Sequence, residues 1–440
     1  MPNRRTFIRN GALVVAGLSI PGSAYSYNRI LGANDRINAA VLGTNSRGVS
    51  LSGTFAGTDR CQVTHIGDTD TRAIAKGQDA VEKAGKTRPK GEQDFRKLLE
   101  DKSIDAIVIA TPDHWHAPMT IMGLQAGKHV YVEKPCSHNP AEGEMLLKAL
   151  NNHPGMIVQM GNQQRSAHSS RGIIGEIHDG LIGKAYYAKA WYANTRGSIG
   201  NGKPAPVPEW LDYELWQGPA LRQPFRDNLV HYNWHWFWNY GTGEVLNNGT
   251  HEVDVCRWAL QVGYPTKVSS NGGRLHFNDD WEFYDTQNVN WDYADGKTIN
   301  WEGRSCNGSA FRGKGRGAMI YGTEGTVMLD REGYVVYDLR GNVIRTGAEG
   351  GSSVTMGTQG GGTLDGKHAH NFCQAIRGKE ELRSPIEEAN VSVTTCHLAN
   401  IAQKVGHSLE LNPENGMPES KAARALWQRD YAPGWAPKVG

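Results

Sequence analysis

Ala40-Val41-Leu42-Gly43-Thr44-Asn45-Ser46-Arg47-Gly48 runs an apolar strand through a short glycine-bounded turn and directly into a helical pattern. A strand that turns this tightly into a helix aims the helix's unpaired N-terminal amides at one point, the arrangement that receives a pyrophosphate. Asn45 stands where such turns commonly carry a central glycine, and asparagine tolerates a left-handed backbone better than most residues. Asp68 ends the next apolar run, 20 residues after Gly48. A carboxylate at that position accepts hydrogen bonds from ribose hydroxyls and repels a 2'-phosphate, so NAD is expected rather than NADP. Gly43, Asn45, Ser46, Arg47 and Asp68 are the cofactor-binding residues this pattern predicts.

The surrounding sequence supports that reading. Ile37–Leu42, Gln62–Ile66, Asp105–Ala110, His129–Val132 and Met156–Met160 are short apolar runs suited to parallel strands buried on both faces. Amphipathic stretches over Asp70–Ala84, Asp94–Glu100, Ala117–Ala126 and Ala141–Asn151 separate them, which is the order of a doubly wound parallel sheet. Beyond Gly161 the pattern changes to a helix over Arg171–Asp179 and an alternating run Ala185–Tyr192. A Gly/Pro-rich loop, Arg196–Pro208, and a helix over His251–Leu260 follow. Alternating runs at Val268–Phe277, Thr286–Tyr293, Met319–Tyr321, Gly325–Leu329 and Tyr334–Leu339 predict an open, mostly antiparallel sheet. Gly347–Gly366 reads as an ordered irregular loop, and His368–Ile376 and Glu387–Val405 as late helices. The expected architecture is α/β: a Rossmann-type domain over residues 35–165, an α+β substrate domain over 166–415, and a C-terminal extension over 416–440.

The N-terminus carries a different kind of signal. Asn3-Arg4-Arg5-Thr6-Phe7-Ile8-Arg9 precedes a modest apolar stretch, Gly11–Ile20, and then small residues at Ala24-Tyr25-Ser26. That is the form of a twin-arginine export signal removed near residue 26, and this route carries proteins already folded. An exported, periplasmic enzyme that leaves the cytoplasm with its dinucleotide tightly bound is the expectation. The apolar stretch is too short to span a bilayer, so no stable membrane insertion is expected. A net charge of +2, with both signs mixed along the chain, gives no reason to expect a nucleic-acid partner. The 6 cysteines form no C-x-x-C pair and are expected as buried thiols rather than a disulfide framework. No H-x-x-x-H or H-E-x-x-H spacing falls on one expected helix, and no metal is expected.

Two further motifs follow successive strands: Ala110-Thr111-Pro112-Asp113-His114-Trp115-His116 and Glu133-Lys134-Pro135. With them the chain resembles the Gfo/Idh/MocA family of NAD(P)-dependent oxidoreductases over nearly all of its mature length, including Gly161-Asn162-Gln163 and Gly243–Asp254. The resemblance implies that Lys134 lies close to both nicotinamide and substrate, with Pro135 after a cis peptide. It adds Thr111, Pro112, His114, His116, Glu133 and Gln163 to the cofactor contacts, and implies catalysis by Lys134 and His251. The family pattern D-x-G-x-H-x-x-D reads Asn247-Asn248-Gly249-Thr250-His251-Glu252-Val253-Asp254 here, so His251 and Asp254 match and Asn247 departs. Asn247 can bond a hydroxyl but cannot take a proton. Asp254 is read either as the group that orients the His251 imidazole or as a helix cap. Relatives commonly oligomerise through the second sheet, so a homo-oligomer is implied without a subunit number.

Tyr232, Trp234, Trp236 and Trp238 recur at every second residue, and an extended chain would set them on one face as a platform for the C–H faces of a sugar. An aromatic core stripe is the alternative. Asn162, Gln163, Gln164 and Arg165 add polar groups suited to a polyol; of these Asn162 and Arg165 join Lys134, Tyr232, Trp234, Trp236, Asn247 and His251 as the expected substrate contacts. A carbohydrate is thus the expected partner, and oxidation of a hydroxyl at C3 of a sugar or glycoside the expected reaction. A redox-neutral NAD-dependent glycosidase and a sugar-binding protein without turnover are the alternatives.

Overall fold

The computed structural model describes residues 36–350 and 363–439. The segment expected to be an export signal lies outside the described residues, as does the central part of the glycine-rich stretch. Of that stretch, the first residues end a strand and the last open a helix, so the irregular loop expected over Gly347–Gly366 is shorter than its composition suggested.

Six parallel strands, β1 (Ile37–Leu42), β2 (Cys61–Gly67), β3 (Lys90–Glu92), β4 (Ala106–Ile109), β5 (His129–Val132) and β6 (Val158–Met160), form the first sheet in the order β3-β2-β1-β4-β5-β6. The short β3 went unread because Lys-Gly-Glu carries no apolar signal; it is paired through backbone alone. Helices α1 (Arg47–Gly57), α2 (Thr71–Lys83), α3 (Phe95–Glu100), α4 (Asp113–Gln125) and α5 (Pro140–Asn151) connect the strands. Their starts follow from capping chemistry. Asp70 accepts from the Arg72 amide at 2.8 Å to open α2, and Asn139 accepts from the Glu142 amide at 3.1 Å ahead of Pro140, whose missing N–H costs nothing in a first turn.

Helix α4 starts four residues earlier than its apolar pattern predicted, so the Asp113-His114-Trp115-His116 segment is its first turn rather than a loop. Pro118 sits inside that turn region and cannot donate to the His114 carbonyl. Arg429 supplies the missing bond, its Nη2 lying 2.7 Å from that oxygen, while Nε meets Glu142 at 2.8 Å. The C-terminal segment is therefore part of the fold under the site. Trp435 also packs edge-on against Trp115, with ring centroids 5.3 Å apart.

The second sheet has nine strands. In chain order they are β7 (Ala185–Ala193), β8 (Lys267–Gly273), β9 (Thr286–Asp292), β10 (Thr298–Arg304), β11 (Arg316–Gly322), β12 (Thr326–Leu329), β13 (Gly333–Tyr337), β14 (Val343–Ala348) and β15 (Leu409–Glu410). Their order is β14-β13-β12-β11-β7-β10-β9-β8-β15, with β7 and β10 parallel and every other pairing antiparallel. β10 was missed because Trp301 and its neighbours do not alternate cleanly, and β14 because it is almost wholly exposed. The helices of this half are α6 (His168–His178), α7 (Tyr213–Gln217), α8 (Gly243–Asn247), α9 (Gly249–Leu260), α10 (Thr363–Ile376) and α11 (Ile386–Val405). Phe372 of α10 packs edge-on against Tyr131 and Phe55, so a late helix covers one face of the first sheet. Nearly all of α11 is buried, and its side chains join a core that runs from Val130 and Leu146 to Trp291 and Trp301. Burying helices on both sides in this way joins the two sheets through one apolar interior.

Candidate active site

One cavity of about 380 Å3 receives the C-terminal ends of β1, β2, β4 and β5 on one side and α8, α9 and β11 on the other. The carboxyl edge of a parallel sheet, where strand order switches between β1 and β4, is where such folds bind ligands. Leu42, Gly43, Asn45, Ser46 and Arg47 line its inner end with Asp68 and Thr69. Gly43 has φ +83°, and a Cβ there would stand 2.7 Å from the Thr111 nitrogen, so only glycine allows β1 and β4 to approach this closely. Asn45 does not adopt a left-handed backbone; its Oδ1 accepts from Lys76 Nζ at 2.6 Å instead, and the turn survives because Gly43 alone needs positive φ. Ser46 precedes α1 without capping it through its side chain, which leaves first-turn amides for an anion. Asp68 accepts from the Thr44 amide at 2.5 Å and the Asp70 amide at 2.9 Å, and burial holds its carboxyl above the ordinary value. A turn of free amides with a carboxylate beside it is the donor set a dinucleotide needs, and these residues fit one.

At the other end Lys134 Nζ donates to Asn247 Oδ1 at 3.1 Å. Burial lowers the Lys134 pKa, opposed by Glu133 and Asp113. The Lys134–Pro135 peptide is cis. Asn247 cannot turn over: its Nδ2 faces Glu244 Oε1 at 3.5 Å, so its oxygen is left for the ammonium. His251 lines the same wall from the first turn of α9, 3% exposed, and its Nε2 has no hydrogen-bond partner. Burial, followed by Arg331, Lys134, Arg316 and Arg47, pushes its pKa well below the ordinary value, so it stands as a neutral imidazole with Nε2 unpaired. Gly249 allows this placement, since a Cβ there would come 3.0 Å from the Trp301 ring.

Thr111, Pro112, His116 and Glu133 also line the cavity. The His116 ring bridges the Pro135 and Thr111 carbonyl oxygens at 2.6 and 2.8 Å, tying the two β-strand ends together. Glu133 accepts from Arg47 Nε at 3.0 Å, and Asp365 of α10 accepts from both Arg47 terminal nitrogens at 2.7 Å.

Several sequence expectations need correction. His114 does not reach the cavity: it is fully buried, its ring nitrogens meet the Tyr240 and Trp216 carbonyls at 3.3 and 2.9 Å, and burial drives its pKa down to about 3. Gln163 is behind Glu133, donating to it and to the Tyr131 hydroxyl at 3.1 Å each. Asn162 is buried off the cavity wall with neither amide atom paired. Arg165 is held by Asp254 at 2.7 and 2.9 Å, lies over Trp258 and does not line the cavity. The same pair settles Asp254, which accepts from Arg165 and from Ser392 at 2.7 Å and neither orients His251 nor caps the helix. Removing one partner of such a buried pair costs about 3–5 kcal/mol, and its role is stability.

The aromatic segment is not an extended platform either. Asn233–Trp236 forms a turn of 3-10 helix, which breaks the every-second-residue register. Tyr232 and Trp234 line the cavity, but Trp236 is buried against Trp281, with centroids 3.8 Å apart, and Trp238 packs on Phe283. Alternation cannot reveal a turn made by a run of large side chains.

The cavity also holds residues that sequence reading did not select: His231, His235, Tyr192, Arg196, Arg316 and Arg331. Arg196 pairs with Glu244 at 2.7 Å and donates to the Tyr232 hydroxyl at 2.5 Å. Arg316 pairs with Glu252 at 2.7 Å. These partners lie 48 and 64 residues apart in the chain and share no motif. Among the described residues, no group of three or more His, Cys, Asp or Glu side chains is placed to hold a metal ion, and no helix is long and apolar enough to cross a membrane.

Replacing Asn247 with aspartate tests the Lys134 contact. A carboxylate at this position favours the charged forms of both Lys134 and His251, so the acid limb of kcat/KM is expected to move up by about one pH unit, measured as a pH–rate profile.

A family model described as an oxidoreductase family with an NAD-binding Rossmann fold matches residues 37–162, and the model of the same family's C-terminal alpha/beta domain matches residues 185–332. A glycosyl hydrolase family 109 protein of Saccharopolyspora erythraea is 28% identical over 209 residues, covering 43% of this chain and 45% of that protein. The chain thus spans less than half the length of this relative. Among solved structures, levoglucosan dehydrogenase in complex with NADH and levoglucosan aligns with a TM-score of 0.65 at 17% identity, over 85% of this chain and 99% of that one. The myo-inositol 2-dehydrogenase of Lactobacillus plantarum aligns with a TM-score of 0.61 at 15% identity, over 86% and 100%. At these identities the alignments speak for the fold.

Proposed function

The chain belongs to the Gfo/Idh/MocA family of NAD-binding oxidoreductases, and from that premise we propose that it is an exported enzyme that oxidises a hydroxyl, at C3, of a sugar or glycoside with its NAD retained. The observation that carries this reading is Lys134 and the unpartnered imidazole of His251 on one cavity whose far end is the Gly43–Arg47 turn. Gly43, Ser46, Arg47 and Asp68 would hold the dinucleotide. When bound, NAD supplies the acceptor for the hydride leaving the sugar carbon.

The protein's own part is proton handling and orientation. Neutral His251 accepts the hydroxyl proton on its unpaired nitrogen, the lowered pKa keeping the ring deprotonated before the substrate arrives. Lys134, steered by Asn247, donates to the reacting oxygen as negative charge develops there. Tyr232 and Trp234 offer flat surfaces to the ring. The products balance as ketone, reduced cofactor and one proton left on His251. Outside the cytoplasm free NAD is scarce, which is why retention follows from the export signal at Asn3–Arg9.

A redox-neutral glycosidase is the second reading, favoured by the glycosyl hydrolase name of the relatives. Oxidation at C3 would acidify the C2 proton, release the C1 substituent, and be reversed after water adds. One experiment separates the readings: dialysed protein is denatured and its released small molecules weighed, and the native protein is followed at 340 nm as glycosides are added. Released NAD together with a lasting rise at 340 nm and a keto-glycoside supports the oxidoreductase. Aglycone release without net reduction supports the glycosidase. A protein that neither retains nor binds NAD overturns both.

A further inference from the structure

The cations of the cavity are unevenly matched. Arg47 is held by Glu133 and Asp365, Arg196 by Glu244, and Arg316 by Glu252. Lys134 has a neutral amide, because position 247 is asparagine where the family pattern has an acid. Arg331, in the turn between β12 and β13, is 8% exposed and has no counter-ion among the described residues; its Nη2 is buried without any partner. Burial pushes its pKa down to about 9, with Arg316 adding to the effect and the carboxylates of Glu252 and Asp365 opposing it without forming an ion pair. A guanidinium taken out of water without a counter-charge is strongly unfavourable. It is tolerated where a ligand brings that charge.

The location points to the substrate rather than the cofactor. Arg331 lines the same cavity as His251 and Lys134, the groups proposed to act on the substrate. Neutral hydroxyls need donors and acceptors but no net charge. A wall with an amide at position 247 and a buried guanidinium that forms no ion pair has room for a monoanion, and the planar fork of arginine matches a carboxylate.

We propose that the sugar this cavity takes is an acid, a hexuronic acid or a glycoside of one, with its carboxylate paired to Arg331. The assignment rests on the sugar-oxidising function proposed above for the same site. The test is calorimetric binding of matched methyl glycosides to the NAD-loaded full-length protein, each uronic acid against its neutral counterpart in the gluco, galacto and manno series. The best uronide is expected to bind about 100-fold tighter than its neutral partner. Arg331→Met is expected to shrink that ratio to within about threefold, and Arg331→Lys to retain part of it, because the charge remains without the fork.

A wild-type ratio near one in all series overturns the proposal, and this holds even if R331M does not fold. A ratio that persists in R331M overturns it too. If R331M weakens NAD itself tenfold or more and leaves the acid-to-neutral ratio unchanged, the guanidinium belongs to the cofactor's diphosphate and the proposal fails. Selective uronide binding with neither a change at 340 nm nor aglycone release overturns the oxidation and leaves the ligand assignment standing.

Discussion

Replacing His251 with asparagine is expected to lower kcat on the oxidised sugar by about 10²- to 10⁴-fold, the range that a positioned general base contributes. The imidazole is buried on the cavity wall and its free nitrogen has no other use in the fold. Its removal leaves a neighbourhood of Lys134, Arg316 and Arg331 that can still attract a developing alkoxide but has no acceptor for the proton. Lys134→Met is expected to cost a similar factor by removing the donor to that oxygen. Because the two act on one oxygen, the double variant should lose little more than the worse single one. Steady-state kinetics on the three variants, with NAD content measured alongside, checks this. A His251→Asn enzyme within tenfold of wild type would remove the base from the mechanism.

Acidification from pH 7 to pH 5 is expected to cost about 4 kcal/mol of stability through two histidines remote from the substrate. His368 donates from Nε2 to the Met160 carbonyl at 2.9 Å, and its Nδ1 lies 2.7 Å from the Ser166 hydroxyl. His397 sits buried against the Ser137 carbonyl at 3.1 Å. Burial pushes their pKa values down to about 4 and about 3. In the unfolded chain each returns to about 6.5, so below that pH the unfolded state binds protons that the folded state refuses. Stability is then full above about pH 6.5 and falls as pH drops toward the folded values, by about 2 kcal/mol for each ring by pH 5. Against a total of about 5–15 kcal/mol this is a large share. Carboxylates with depressed values, such as Asp254 and Glu244, add their own losses at lower pH, where the unfolded acids titrate. Denaturant unfolding at both pH values measures the loss. In a His368→Asn/His397→Asn protein the loss between pH 7 and 5 should be smaller by about 4 kcal/mol, with His114 and His251 keeping theirs, and a curve as steep as wild type would assign the effect elsewhere.

The alternation of apolar runs and amphipathic stretches was enough to place the first sheet, because parallel strands buried on both faces leave an unbroken apolar signature and helices between them a 3.6-residue one. The turn Gly43–Arg47, Asp68, Lys134 and His251 were legible for a related reason: each lies at a strand end or first helical turn within a short motif. β10, β14 and the 3-10 turn at Asn233–Trp236 were not, since exposure or an unbroken aromatic run erases periodicity.

Local pattern by itself determined the strand-turn-helix unit, the parallel sheet and the two groups proposed to act on the substrate. Only the tertiary structure decided which charges meet. Arg165 found Asp254, Arg47 found Asp365 across 318 residues, and Arg331 was left with its Nη2 buried and unpaired. Backbone periodicity is written in neighbours along the chain, whereas the balance of charge in a cavity is set by side chains that meet only after the two sheets pack around α11.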